Sequence, residues 1–353
     1  MDKVYRVFKS GFILLFLNTF LLLGCEDNRV LVTEVNYCSN LNMSNINWPD
    51  ELSSLEIDTY SLAINITGSY EGVSDWNNIS NNFDGQGISL GVFQQNLGQG
   101  SLQPLLNKVN RQHRNIFNQH FDQLQQASLS FMLNAWSDRR RSLLPESYDE
   151  NYRTLASFDN EVFTSLNYTP SPTDILPFGE LAGFNLALAK ASNSVNQYSV
   201  DWAVQNLFES NGKTFKPNWR RSFRNLAGDP RYISMQIEAG FFMHKRAMSY
   251  MKRFDARELR SYLFFYDIVV QNHSINSEVE KDYLNEIKGQ DLTENERMII
   301  LLQHRVLRSK KRWRADVMSR KMTLLQGQGR VHGRNRNFSE EFCLPDYELM
   351  MVR

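Results

Sequence analysis

Apolar residues recur at helical spacing over most of the chain beyond residue 50. Tyr60, Ala63, Ile64, Thr67 and Tyr70 form one such stripe, and Ser53 with Glu56 three residues later forms a capping box that opens it. The stripe carries Glu71 to the helix end, where Gly72 is a natural stop. After Asn81 and Asn82 the period changes to two. Ile88, Leu90 and Val92 share one face and Ser89, Gly91 and Phe93 the other, which predicts a strand leaving the Asp84-Gly85 turn. Gly98-Gln99-Gly100 ends it. Ser101 then reads as the N-cap of a helix with Pro104 in its first turn, followed by amphipathic helices over Leu102–Asn110 and Gln112–Trp136.

Four prolines (Pro145, Pro170, Pro172, Pro177) loosen the next stretch, and 144–180 reads as a lobe boundary or a substrate-facing insertion. Helical patterns resume over Leu181–Ala191, Val200–Phe208, Pro217–Leu226, Pro230–Phe254, Ala256–Gln271, Glu278–Ile287 and Glu294–Leu325. The run from Leu263 to Gln271 is apolar enough for a central core helix, so Asp267 within it requires a partner. Gly327, Gly329 and Gly333 predict a glycine-hinged loop over the core, since no clear helix follows them as a dinucleotide site would need. The fold class is mainly α with a small β element.

The N-terminus carries an address. Lys3, Arg6 and Lys9 precede the apolar run Phe12–Leu23, which is too short for a confident spanning helix and reads as an export signal. Leu22-Leu23-Gly24-Cys25 resembles the lipobox of bacterial lipoproteins. That resemblance implies a leader over 1–24, lipidation of Cys25 and a membrane anchor, the other reading being an ordinary cleaved signal with a free Cys25. Glu26 is not the Asp that retains lipoproteins in the inner membrane, so the expectation is an outer-membrane anchor facing the periplasm. Residues 25–50, polar and Asn-rich, read as a tether, 51–345 as the folded domain and 346–353 as a tail. Cys38 and Cys343 remain as a disulfide candidate or two buried thiols.

Lys and Arg balance Asp and Glu at 39 each over the 353 residues, and without the leader the remainder is slightly acidic. That leaves no footprint for nucleic acid. Arg139-Arg140-Arg141 and Lys310-Lys311-Arg312 read as solvated helix faces or as contacts for an anionic polymer or lipid headgroups. The six histidines show no ligand spacing, so neither a metal nor another cofactor is expected.

Chemistry concentrates between Ile66 and Pro104. A Glu at a helix end beside Tyr70 suits a proton donor, and an Asp in an open Gly-rich turn suits a base. Amides surround them, among them Gln86, Gln94 and Asn96. Two carboxylates and an amide-rich wall are the inventory for cutting a glycosidic bond, and inversion requires the carboxyls roughly 6.5–9.5 Å apart.

Ser69-Tyr70-Glu71 followed by Asp84-Gly85-Gln86-Gly87-Ile88-Ser89-Leu90-Gly91 resembles the active-site signature of glycoside hydrolase family 46 chitosanases and related lysozyme-fold, muramidase-like domains. The run Gln94, Asn96, Gly98, Gly100, Ser101, Leu102, Pro104, Leu105 follows the same pattern, as do Tyr266–Asn272 and Arg320-Lys321 before Gly327, Gly329, Val331, His332 and Gly333. The resemblance implies a two-lobed lysozyme-like fold whose small hairpin carries the catalytic Asp. It further implies Glu71 as general acid, Asp84 as general base and Ser89, where chitosanases have Thr, as the hydroxyl positioning water. Asp267 with Arg320 stands as the buried pair supporting the acid or as a core ion pair, and Gln86, Gln94, Asn96 and His332 as contacts to substrate. Gln86 replaces the usual Arg, and the chain lacks the acidity that suits polycationic chitosan. The expectation is therefore cleavage of the peptidoglycan glycan backbone, with chitosan hydrolysis or non-catalytic wall binding as the alternatives. The oligomeric state is left open.

Overall fold

A computed structural model describes residues 35–70, 75–82, 84–142, 194–272 and 274–344. These are mainly helical, with a three-stranded and a two-stranded antiparallel sheet. Helix α1 (Ser54–Tyr70) leads into β1 (Ile79–Ser80), β2 (Ser89–Leu90) and β3 (Gln95–Asn96). Helices α2 (Gln103–Gln112), α3 (Arg114–His120), α4 (Gln123–Arg141), α5 (194–207), α6 (Pro217–Ala227), α7 (Pro230–Arg253), α8 (Leu259–Asn272), α9 (Ser277–Ile287), α10 (Glu294–Leu307) and α11 (Arg314–Gln326) follow. The hairpin β4 (Gln328–Val331) and β5 (Arg334–Asn337) and a last turn, α12 (Phe338–Glu341), complete the order. Among the described residues no helix is long and apolar enough to cross a membrane.

The α1 capping box forms. Ser53 N–H and hydroxyl donate to Glu56 Oε2 at 2.9 and 2.6 Å, and Glu56 N–H returns to Ser53 Oγ at 3.3 Å. Elsewhere the expected elements are cut shorter. The strand expected through Phe93 stops at Leu90, because Gly91 (φ 75°) and Gln94 (φ 48°) turn the chain back into β3. Ser101 is not the N-cap of α2; its hydroxyl accepts from Asn96 N–H at 2.9 Å instead. A helix over Gln112–Trp136 is interrupted at His113 and restarts at a second capping box, Asp122 with Gln125. The long helix expected over Glu294–Leu325 breaks after Leu307, where the Arg314 guanidinium donates to Leu307 O at 2.6 Å and Ser309 O at 3.1 Å, satisfying carbonyls a continuous helix would have used. The glycine-hinged loop is a β-hairpin. His332 (φ 48°) and Gly333 (φ 80°) form its two-residue turn, both left-handed as a type I′ turn requires.

Two buried cores share α7. One gathers α1, α8, α9, α10, α11 and the C-terminal hairpin, and the other gathers β2, α2, α3, α4, α5 and α6. Ile233, Ile237 and Phe241 of α7 join the first, Tyr232 and Met235 the second. Segments on both sides of 144–180 pack into the same core, so the cores do not divide there. They divide where α1 gives way to the small sheet, and along α7. The residues between 143 and 193, including the helix expected over Leu181–Ala191, lie outside the described residues.

The expected tether is also shorter than 25–50. Val35 and Leu41 are buried in the first core, and Asn65 Oδ1 accepts the N–H groups of Asn40 and Leu41 at 3.0 and 3.1 Å. Cys38 and Cys343 form a disulfide, with Cα atoms 5.3 Å apart. Cys25 lies outside the described residues.

Candidate functional site

A cleft of 270 Å³ opens where the two cores meet. Ile64 and Thr67 of α1 form one wall, Tyr266, Val270 and Gln271 of α8 the floor, and Asp84, Ser89, Val92, Phe93, Gln94, Asn96 and Gln99 the opposite wall. Of the expected site residues, Asp84, Ser89, Gln94 and Asn96 come together there. Glu71 lies outside the described residues. Tyr70, the residue before it, is buried at the end of α1.

Local chemistry holds each side chain. Asp84 is exposed in the turn, where its Oδ1 accepts Gln86 N–H at 3.1 Å and leaves the second carboxylate oxygen for other partners. Ser89 sits in the middle strand of the sheet, paired with Ser80 and Asn96, and is 7% exposed on the cleft. Asn96 Oδ1 accepts Gln99 N–H at 2.8 Å, which shapes the turn into α2. Gln94 donates through Nε2 to Gly91 O at 2.8 Å and accepts from Ser80 Oγ at 3.1 Å.

Gly91 is required twice over: its φ is left-handed, and a Cβ there would lie 1.8 Å from Gln236 Oε1 of α7. Gly240 of α7 plays the companion part, since a Cβ there would meet the Phe93 ring at 2.9 Å. The cleft wall is thus seated on α7 where Gln236 packs on Gly91 and the Phe93 ring on Gly240, contacts that a side chain at either glycine would displace.

Behind the floor lies a charged cluster. Asp267 is fully buried and accepts from Arg320 Nε at 3.0 and 3.1 Å, from the terminal Arg320 nitrogen at 2.6 Å, and from Lys321 Nζ. Burial pushes the Asp267 carboxyl up, but the charges and hydrogen bonds of Arg320 and Lys321 outweigh it and hold the group at about 2. Burial brings Lys321 down to about 8, against the opposing pull of Asp267. Lys321 Nζ also donates to Gln271 Oε1 at 2.7 Å, tying the cluster to the cleft floor. The Arg320 guanidinium stands 4.8 Å over the Tyr70 ring and Arg336 covers it at 4.9 Å, so the cluster reaches the last turn of α1.

Two expected contacts lie elsewhere. The Gln86 side chain packs on Gly98, where a Cβ would come within 2.3 Å of Gln86 Oε1, and it does not line the cleft. His332 is held at the end of α1, Nδ1 3.0 Å from Tyr70 O and Nε2 3.1 Å from Asp316 Oδ1. There it satisfies a terminal helix carbonyl rather than facing the cleft.

Thr67, Phe93, Gln99, Tyr266 and Gln271 line the cleft without having been expected as site residues. Tyr266 and Gln271 did carry a signal, since both belong to the run Tyr266–Asn272 that resembles the family pattern, and Gln271 lies one helical turn after Asp267. Among the described residues no group of three His, Cys, Asp or Glu is placed to hold a metal ion. No protein-family model matches the chain, and no curated protein matches it.

Proposed function

We propose that the protein is a glycoside hydrolase acting on the peptidoglycan glycan backbone, with a lysozyme-like arrangement of two lobes and an inverting, two-carboxylate mechanism. The observation that carries this reading is the meeting of Asp84 and Ser89 on one cleft with Ile64 and Thr67 of α1, the helix whose last residue, Tyr70, precedes Glu71 in the sequence. In this mechanism Glu71 protonates the leaving oxygen, Asp84 removes a proton from water on the opposite face of the sugar, and the Ser89 hydroxyl orients that water. Gln94, Asn96 and Gln99 offer amide donors and acceptors to sugar hydroxyl and acetamido groups. The Asp267 cluster holds the cleft floor and the last turn of α1 in place.

The test is release of reducing ends from purified sacculi by the wild type and by Glu71→Gln and Asp84→Asn. Loss of a general acid or base lowers the rate by about 10²–10⁴. Near-full activity of either variant overturns its assigned role. A wild type that binds sacculi and releases no reducing ends at any pH makes the protein a wall-binding module, and faster release from chitosan than from sacculi makes it a chitosanase.

A further inference from the structure

The cleft has basic neighbours. Gln271 also borders a second pocket, of 440 Å³, lined by Arg305, Lys310 and Trp313. Ser80, which donates to the cleft residue Gln94, borders a pocket of 560 Å³ lined by Lys213 and Arg220, and Arg220 is shared with a neighbouring pocket that adds Arg221 and Arg224.

The charges in these pockets are poorly matched. In the first pocket Arg308 is taken by Glu278 and Asp282 at 2.7 and 3.0 Å, and the Asp316 carboxylate faces His332. Among the described residues Arg305 meets no carboxylate: its guanidinium reaches Ser309 Oγ at 3.3 Å, and its buried Nε finds no partner there. Lys310, which is exposed, forms no ion pair among the described residues either. Trp313 is 52% exposed on the same pocket. In the pockets beyond Ser80, Lys213, Arg220 and Arg221 form no ion pair among the described residues, and Arg224 spends a donor on the Asn77 amide at 3.0 Å. A half-buried guanidinium with an open N–H in one pocket with an exposed indole is built for a planar anion on a ring-bearing ligand, because a carboxylate satisfies the fork and the ring stacks on the apolar face. Unmatched cations in the pockets around the cleft also repel a polycation.

Resting on the glycosidase reading of the cleft, we propose that the groove selects an anionic glycan, its carboxylates docking at Arg305 and Lys310 beyond Gln271 and at Arg220 and Arg221 beyond Ser80. In peptidoglycan those carboxylates come either from the stem peptides or from lactyl groups freed of peptide. The shared chemistry is a carboxylate displayed beside the glycan chain.

The experiment measures binding of the full chain to intact sacculi, to glycan strands stripped of peptide, to the same strands with their carboxyl groups amidated, and to chitosan, across a salt series. Wild type, Arg305→Gln, Lys310→Gln, the pair Arg220→Gln with Arg221→Gln, and the exposed comparator Lys252→Gln are compared, with reducing ends counted in parallel. Loss of one charge-assisted contact weakens binding about tenfold and flattens the salt dependence. Amidation of the strands does the same to the wild type, and Lys252→Gln leaves binding unchanged. Weakening on stripped strands assigns the lactyl carboxylate, and weakening on intact sacculi alone assigns the peptide. Stronger binding to chitosan than to sacculi, or wild-type affinity of Lys310→Gln and of the Arg220/Arg221 pair for both sacculi and stripped strands, overturns the proposal; equal binding of amidated and free strands overturns it when the variants are also unweakened on intact sacculi. Lys310 is exposed, so its variant reports on binding even if Arg305→Gln perturbs the fold. Carboxylate-dependent binding without reducing ends upholds the groove and overturns the enzyme; cleavage with carboxylate-independent binding does the reverse.

Discussion

At Asp267 three charged side chains meet with almost no exposure: the carboxylate is 0% exposed, Arg320 1% and Lys321 0%. Desolvation of such a group costs several kcal/mol and is recovered only while every partner is present. Asp267→Asn leaves two buried cations facing an amide, and the expected loss is about 3–5 kcal/mol in chemical denaturation. The pH dependence has a definite sign. The folded carboxyl, at about 2, lies below the ~3.9 of an unfolded Asp, so its contribution is fully present above pH ~4 and is lost as pH falls toward 2. The melting temperature of the wild type therefore drops across that window, and Asp267→Asn flattens the drop. An equally steep acid limb in the variant removes Asp267 as its source.

Among the elements, the small sheet is held by position more than by length. Each strand has two residues, and a sheet that small has little stability of its own. It persists because Gly91 N–H donates to Asn78 O at 2.9 Å and because Gly91 and Gly240 let it settle on α7. Gly91→Ala combines a left-handed backbone with a clash against a fully buried Gln236, so a loss of about 2–4 kcal/mol is expected. Under the proposed function the same substitution also displaces Ser89 on the neighbouring strand, and release of reducing ends from sacculi is expected to fall even at temperatures where the variant stays folded. Unchanged melting and activity in Gly91→Ala is incompatible with this seating. The Asp84-Gly85 turn and the α1 capping box were legible because their causes are local. The breaks at His113 and Leu307 were not, because a non-helical backbone at 113 (φ −126°, ψ 52°) and a guanidinium returning from Arg314 end those helices while the apolar period runs on.

For the whole molecule, the Cys38–Cys343 bond ties segments 305 residues apart, and Cys38 N–H donates to Phe342 O at 2.8 Å beside it. Closing so long a loop stabilises the fold by restricting the unfolded chain, by about 5–6 kcal/mol in the chain-entropy account. Cys38→Ser with Cys343→Ser is expected to lower the unfolding free energy by up to that amount and to expose the 35–48 segment to protease first; an unchanged denaturation midpoint contradicts it. The sequence by itself determined the helical class, the α1 capping box, the Asp84-Gly85 turn and the choice of candidate acids and hydroxyl, because helical period, capping and Gly-rich turns act over a few residues. It also marked Asp267 as a charge in need of a partner, since burial of that apolar helix follows from composition alone. Only the tertiary structure decided that the cores divide along α7, that 35–49 packs on the domain, that His332 faces α1 rather than the cleft, and that Gln271 joins the cleft to a basic pocket. Each of those depends on contacts between residues far apart in the chain, whose geometry is set by packing and leaves no periodic trace in the sequence.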